Sequence, residues 1–155
     1  MEKWVQKICL METKRLQDKN EAPLLIKAVD EAIDYIKVLL SDIYLSDDYW
    51  RGKRLPAGLA TEMQIEKAKA LQFLENGYCF NVLKLLTSRL SVLRNQIFHG
   101  CSTDTGSKNV DSLHPAVSAL TALVPAFVSI MILCGSREEW DDLPYPPKGS
   151  WQHPW

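Results

Sequence analysis

A run of seven residues, Arg94-Asn95-Gln96-Ile97-Phe98-His99-Gly100, contains the side-chain types that phosphate ester chemistry needs. Arginine is a permanent cation whose planar fork suits phosphate oxygens, and histidine exchanges a proton near neutral pH. The candidate catalytic residues are therefore Arg94, Asn95 and His99. A structural interpretation stays open: helix ends favour cations near their free carbonyls and glycine just beyond them, so the run could be only a helix stop signal.

The chain around this run is locally cationic. No Asp or Glu occurs between Glu75 and Asp104, whereas Lys84, Arg89 and Arg94 all fall there. Such a patch can attract a polyanion even though 18 basic and 19 acidic side chains leave a net charge of -1 over the whole chain. Chance clustering of cations on a solvated helix face would give the same pattern.

The run ends a predicted amphipathic helix over about residues 78–98. At ~100° per residue its apolar side chains share one face. That face comprises Cys79, Val82, Leu83, Leu86, Leu90, Leu93 and Ile97, and the opposite stripe comprises Lys84, Ser88, Ser91, Asn95 and His99. Arg94 precedes His99 by five residues, which places it ~140° away around an ideal helix. Either the helix ends before His99, or the long arginine wraps round, or a second subunit completes the site.

The rest of the chain also has helical periodicity and no convincing strand pattern. We predict further helices over about residues 1–18, 24–43, 61–76 and 114–134. Residues 46–60 are predicted to form a loop that Trp50 anchors to the core, and Thr61-Glu62-Met63-Gln64 has the spacing of a capping box. The predicted fold is an all-α bundle of four to five helices.

The last predicted helix is unusually apolar. Residues 115–134 contain no charged side chain and could span a bilayer by length. Four residues lower the hydrophobicity of this segment: Ser118, Thr121, Pro125 and Ser129. No cluster of basic residues flanks it, as would be typical of a membrane-spanning helix. We therefore expect no membrane span, but a helix buried at the centre of the bundle or in a dimer interface.

The chain divides into a helical domain, residues 1–134, and an irregular tail, residues 135–155. The tail is rich in proline and tryptophan and cannot be helical throughout. We expect it to pack as an extended strap across the bundle; the alternative is a motif that binds a partner.

Cysteine usage and the N-terminus favour the cytoplasm. The four cysteines, Cys9, Cys79, Cys101 and Cys134, form no C-x-x-C pair, and the chain opens with Glu2 and Lys3 instead of an apolar secretory core. His99, Cys101 and His114 match no common zinc spacing. We expect neither a metal nor a cofactor.

The run from Leu93 to Gly100 resembles the signature of the HEPN superfamily, in which an arginine and a polar residue are followed a few positions later by histidine. Arg94, Asn95 and His99 match these three positions. The closer resemblance is to the Apea-like branch, in which glycine and a polar loop follow the histidine and lead into an apolar helix.

The resemblance extends over roughly residues 40–147. Further similar runs are found at residues 49–52, 89–93 and 140–146. The chain departs from the branch at Cys101, where members often have a second glycine, and at residues 108–110, where they often have an asparagine-arginine pair.

The resemblance implies a helical bundle that dimerises so that two motifs line one cleft, with metal-independent ribonuclease activity. It implies that His99 is the general acid/base, that Arg94 clamps the phosphate and that Asn95 orients the phosphate or the imidazole. Lys84, Ser88 and Ser91 would then contact the RNA. The products would be a 2',3'-cyclic phosphate and a free 5'-hydroxyl.

Many relatives act in defence or as toxins, so the resemblance also implies an antitoxin or regulatory partner, with no DNA specificity. Two other functions stay open on the sequence. One is a catalytically silent HEPN-like module that binds RNA, a nucleotide or a protein. The other is a purely structural oligomerisation domain.

Overall fold

A computed structural model describes residues 2–19, 22–52, 56–98 and 107–134. Within these ranges the protein has seven α-helices and no strand, which confirms the predicted all-α bundle. The helices are α1 (Glu2–Lys19), α2 (Leu24–Glu31), α3 (Ile33–Ser41), α4 (Asp47–Trp50), α5 (Pro56–Glu75), α6 (Phe80–Phe98) and α7 (Ser107–Cys134), and a 3-10 turn, η1, spans Ile43–Leu45. The predicted tail, residues 135–155, lies outside the described residues.

One hydrophobic core joins the helices. α7 packs against α1, α2 and α3, while α6 packs against α1, α3 and α5. The largest fully buried side chains include Met11, Leu25, Ile36, Leu39, Leu83, Leu86, Leu123 and Ile130. Each such side chain contributes ~1.5–3 kcal/mol of burial free energy, so the core and not any single polar contact holds the bundle together.

The turn between α1 and α2 is held by a buried ion pair. Arg15 Nη2 lies 3.1 Å from Glu12 Oε1 and also donates to the carbonyl of Ala22 at 2.6 Å. The same Glu12 oxygen accepts from the backbone N–H of Leu24, the first residue of α2. The residue before α2, Pro23, has no side chain that can accept a hydrogen bond from the helix N-terminus. The carboxylate of Glu12 on α1 therefore caps α2 in its place.

The single helix predicted over residues 24–43 is wrong, because the chain forms α2 and α3 with a break at Ala32. Ala32 has φ -98° and ψ 1°, outside the helical values. Its backbone N–H is shared between the carbonyls of Ala28 and Val29, both at 3.2 Å, so the turn tightens locally. Ala32 is itself buried, and both helices keep their apolar faces on the core.

The predicted start of the next helix at Thr61 is also wrong, because α5 begins at Pro56. Proline suits the first turn of a helix, where its missing N–H would have no intrahelical partner. Thr61 therefore lies within the helix, and its hydroxyl donates to the carbonyl of Ala57 at 3.1 Å instead of capping the N-terminus. The predicted loop over residues 46–60 shrinks accordingly and also contains α4.

α7 begins at Ser107, earlier than the predicted start at His114-Pro115, and it contains both Pro115 and Pro125. One face is buried on the bundle through Ala116, Ala119, Leu123, Ala126 and Ile130. The opposite face is apolar but exposed, and it includes Val117, Leu120, Val124, Val128, Met131 and Ile132. The helix is therefore not buried all round within one chain.

The segment Asp111–Cys134 of α7 is long and apolar enough to cross a membrane by length and composition, and no second such segment occurs in the described ranges. Core helices of soluble proteins also meet this criterion. One face of this segment packs on α1, α2 and α3, and the other face is exposed.

Candidate functional site

The described part of the motif, Arg94 to Phe98, forms the last residues of α6 (Phe80–Phe98), and His99 and Gly100 lie outside the described residues. The helix contains neither glycine nor proline, and leucines recur along its inner face. Its buried residues are Val82, Leu83, Leu86, Arg89, Leu93 and Gln96. Two of these six are polar, and both contribute to positioning the end of the helix.

Ile97 was predicted to be buried and is 48% exposed, whereas its neighbour Gln96 is only 4% exposed. The buried stripe advances in steps of three and four residues, and its last step, from Leu93, ends at Gln96. Burial of the amide is possible because Gln96 Nε2 donates to the carbonyl of Tyr44 at 2.7 Å. Gln96 is therefore an anchor of the helix end, and no sequence argument identified it.

Arg94 and Asn95 both lie on the exposed side of this helix end. Arg94 Nη1 donates to Asn95 Oδ1 at 3.4 Å, and its guanidinium carbon lies 5.2 Å from the centre of the Phe98 ring. Among the described residues, no carboxylate pairs with Arg94. The guanidinium fork can therefore reach a ligand from solution without first losing an ion pair.

His99 lies outside the described residues, and so does the loop that follows it. Which of the three arrangements brings Arg94 and His99 together therefore stays a prediction. The guanidinium of Arg94 lies against the ring of Phe98, the last residue of α6.

Arg89 has a different environment, although it belongs to the same cationic stretch. It is 7% exposed, its Nη2 lies 3.7 Å from Glu66 Oε2, and its Nη1 donates to the carbonyl of Leu45 at 3.5 Å. Burial lowers the pKa of the guanidinium, and the nearby carboxylates of Glu66, Asp42 and Asp48 oppose that shift. Arg89 joins α6 to α5 and η1 and is not available to a ligand phosphate.

The segment from Asp42 to Trp50 supports the helix end from the side. The carbonyl of Tyr44 accepts two hydrogen bonds, one from Gln96 Nε2 and one from Trp50 Nε1, each at 2.7 Å. Asp42 accepts from the backbone N–H of Tyr44 at 2.9 Å and from the hydroxyl of Ser112 on α7. One short turn therefore connects α6, α7 and α4.

The prediction that Trp50 anchors this segment to the core is wrong, because its side chain is 49% exposed. It instead contacts its own segment: Tyr49 packs edge-on against both Tyr44 and Trp50, with ring centres 5.0 and 5.4 Å apart. The local signal for this arrangement was Asp42, two residues before Tyr44, since aspartate commonly accepts from a backbone N–H two residues on.

The candidate RNA contacts Lys84, Ser88 and Ser91 fall on one side of α6, with Lys84 and Ser88 exposed and Ser91 half-buried. From Lys84 to Asn95 this stripe runs ~16 Å along the helix at 1.5 Å per residue. The hydroxyl of Ser91 donates to the carbonyl of Thr87 at 2.9 Å.

Ser88 lines a cavity of about 300 Å³ between α4, α5 and α6. The cavity also contains four carboxylates, Asp47, Asp48, Glu62 and Glu66, and the buried Arg89. Carboxylates repel phosphate, so this part of the stripe does not favour RNA. The favourable surface is at the end of the helix, around Arg94.

No group of three or more His, Cys, Asp or Glu side chains within the described ranges could hold a metal ion. No protein-family model, curated protein or solved structure matches this chain. The resemblance of residues 93–100 to the HEPN signature therefore rests on the motif and its setting.

Proposed function

We propose that this chain is a metal-independent endoribonuclease of the HEPN type. The observation that carries the proposal is the state of Arg94: its guanidinium is exposed, pairs with no carboxylate among the described residues, and lies beside the amide of Asn95 and the ring of Phe98. A helix stop signal would not require these three residue types together. The proposed setting is the cytoplasm, in defence or as a toxin controlled by an antitoxin or regulatory partner.

RNA provides its own nucleophile, so the chemistry asked of the protein is limited. The 2'-oxygen attacks the adjacent phosphorus, the bond to the 5'-oxygen breaks, and a 2',3'-cyclic phosphate and a 5'-hydroxyl result. His99 acts as the general acid/base, worth ~10²–10⁴ in rate. Arg94 stabilises the charge that builds on the phosphate oxygens, and the amide of Asn95 orients the phosphate or the imidazole.

The proposed active form is a homodimer with a composite site. The exposed apolar face of α7 supports association, because a stripe with Val117, Leu120, Val124 and Val128 on the surface of a monomer would be costly to hydrate. Two-fold symmetry would bring the same surface of both chains together, and it would let Arg94 of one chain act with His99 of the other.

A second candidate function is a catalytically silent dimerisation module that holds RNA, a nucleotide or a protein. The acidic cavity beside Ser88 favours it, because that cavity suits a cationic protein side chain better than a polynucleotide. In that case the end of α6 would bind a ligand but cleave nothing.

Product analysis with purified full-length protein tests the proposal. Single-stranded RNA is incubated in chelator with the wild type, with His99→Ala and with Lys69→Ala, which removes an exposed cation on α5 as a matched control. We expect fragments with cyclic phosphate ends and 5'-hydroxyls from the wild type and the control, and a loss of ~10²–10⁴ in rate for His99→Ala.

Equal cleavage by His99→Ala would reject the assignment, since it would point to a contaminating nuclease or to another site. Binding of RNA by all three proteins without cleavage would support the silent module. Size-exclusion chromatography with light scattering on the same samples checks the dimer, and partition of the protein into lipid vesicles would instead assign the α7 face to a membrane.

A further inference from the structure

Two cysteines from distant parts of the sequence lie side by side at the far end of α6. Cys9 is in the middle of α1, and Cys79 directly precedes the first residue of α6. Cys9 and Cys79 line the same cavity, each thiol shifts the pKa of the other, and both cysteines are free. The proposed ribonuclease chemistry uses neither residue, so this contact needs a separate explanation.

This surface cavity, which residues Cys9 and Cys79 both line, has a volume of about 270 Å³. Apolar side chains dominate its lining, among them Leu10, Tyr78 and Phe80. Leu10 is 52% exposed and Tyr78 is 66% exposed, so the rim is open to solvent. A hydroperoxide or another oxidant of similar size can therefore approach a thiol pair that the core otherwise surrounds.

The two thiols are not equivalent. The hydrogen bond from Cys9 lowers the pKa of Cys79, although burial opposes the shift, and the same bond together with burial raises the pKa of Cys9. The thiolate is the reactive form of cysteine. Cys79 is therefore placed to react first, and Cys9 to resolve the product.

We propose that Cys9 and Cys79 are a site of reversible oxidation to a disulfide, with a hydroperoxide as the oxidant. The Cys79 thiolate attacks the hydroperoxide, the O–O bond breaks, and a sulfenic acid and an alkoxide result; the alkoxide takes up the proton that Cys79 had lost. The sulfur of Cys9 then attacks the sulfur of Cys79, the S–O bond breaks, and hydroxide leaves with the Cys9 proton as water. Two thiols and one hydroperoxide give one disulfide, one alcohol and one water.

The disulfide would join α1 to the turn between α5 and α6, which Gly77 makes with φ 84°. It would close a long loop between residues 9 and 79 and thereby restrict the unfolded chain. The active-site motif lies at the other end of the 19-residue α6, ~28 Å away. Oxidation is therefore expected to act on the stability of the bundle without touching the proposed catalytic residues. Transient disulfides of this kind are typical of redox-sensing proteins in a reducing compartment.

Mass spectrometry of the full-length protein tests the proposal. The reduced wild type is treated with equimolar hydrogen peroxide, alkylated and digested with trypsin. We expect a mass lower by two hydrogens and one disulfide-linked pair of peptides, residues 8–14 and 70–84, and its loss after dithiothreitol. Cys134→Ser is the matched control and should form the same link, because Cys134 Sγ donates to the carbonyl of Met11, at 4.0 Å, and does not line the cavity of Cys9 and Cys79.

Variants then test the order of the steps. Cys9→Ser should accumulate a sulfenic acid on Cys79 that dimedone traps, whereas Cys79→Ser should leave Cys9 as a free thiol. The oxidised wild type should unfold at a higher temperature than the reduced protein. An unmodified wild type, a link between other cysteines, or a link only between two chains would overturn the proposal, and the wild-type peptide map decides this even if a variant fails to fold. None of these readouts depends on RNA cleavage.

Discussion

Arg89 and Arg94 lie five residues apart on one helix and occupy opposite environments. Arg89 is buried against α5 and η1, where its guanidinium pairs with Glu66 and donates a hydrogen bond to the carbonyl of Leu45. Arg94 is exposed at the helix end and contacts only the adjacent amide and the Phe98 ring among the described residues. The sequence presents both as members of one cationic patch, but only Arg94 is available to a phosphate.

The comparison also separates two surfaces of α6. The surface near Arg89 borders an acidic cavity, whereas no carboxylate from the described part of the chain contacts Arg94 or Asn95 at the helix end. Local charge density in a sequence is therefore a poor guide to where a polyanion binds, because a cation such as Arg89 can be neutralised by a residue from another helix.

The largest effect is expected from mixing two inactive chains. Arg94→Ala alone should lose ~10²–10³ in cleavage rate, and His99→Ala alone should lose ~10²–10⁴. If Arg94 of one chain acts with His99 of the other, an equimolar mixture contains heterodimers with one intact site, and about a quarter of the wild-type rate should return. The rate of RNA cleavage before and after subunit exchange measures this.

Differently tagged chains provide the control, since co-purification of the two tags shows that heterodimers have formed. Heterodimers without recovered activity would place the whole site in one chain. That result would favour the alternative in which the long arginine wraps toward the histidine of its own chain.

The next effect distinguishes the two arginines by stability. Arg89→Ala removes a buried side chain and leaves the carbonyl of Leu45 without this donor, so it should lower the free energy of unfolding by ~2–3 kcal/mol. Arg94→Ala should change it by less than ~0.5 kcal/mol because the residue is exposed. Urea denaturation of both variants measures the difference in stability. Equal unfolding midpoints would show that Arg89 contributes no more to stability than Arg94.

A smaller effect is expected at the adjacent pair Asn95 and Gln96. Gln96→Ala breaks the bond to the carbonyl of Tyr44 and should cost ~1–2 kcal/mol of stability. Asn95→Ala should leave stability unchanged and lower cleavage instead. Urea midpoints and cleavage rates for both variants, measured together, test this, and a stable Gln96→Ala protein would show that the helix end does not depend on η1.

The smallest effect is expected at Ser88. Because it opens onto four carboxylates, Ser88→Ala should change RNA affinity by less than about twofold, a change within the ±0.5 kcal/mol typical of surface substitutions. Filter binding at fixed salt measures it. A large loss would mean that RNA follows the whole stripe from Lys84, in spite of the acidic cavity.

The sequence was sufficient for the helical class and for the presence of α6, because periodicity and a helix without glycine or proline are local signals. It was not sufficient for residues whose role depends on a distant partner. Gln96 is buried only because Tyr44, far away in the chain, offers a carbonyl, and Arg89 is neutralised by a glutamate on another helix. The predicted helix start at Thr61 was wrong for a related reason. A capping pattern at residues 61–64 does not show whether the helix has already begun at Pro56.

The most direct test of the account is the initial rate at which Arg94→Ala cleaves single-stranded RNA in chelator, relative to the wild type and to Lys69→Ala, with folding checked by circular dichroism and equal urea midpoints. The account predicts a loss of ~10²–10³ for Arg94→Ala and a rate close to wild type for the control. Arg94→Ala cleaving as fast as the wild type would contradict it, because the exposed arginine at the end of α6 would then have no part in the reaction.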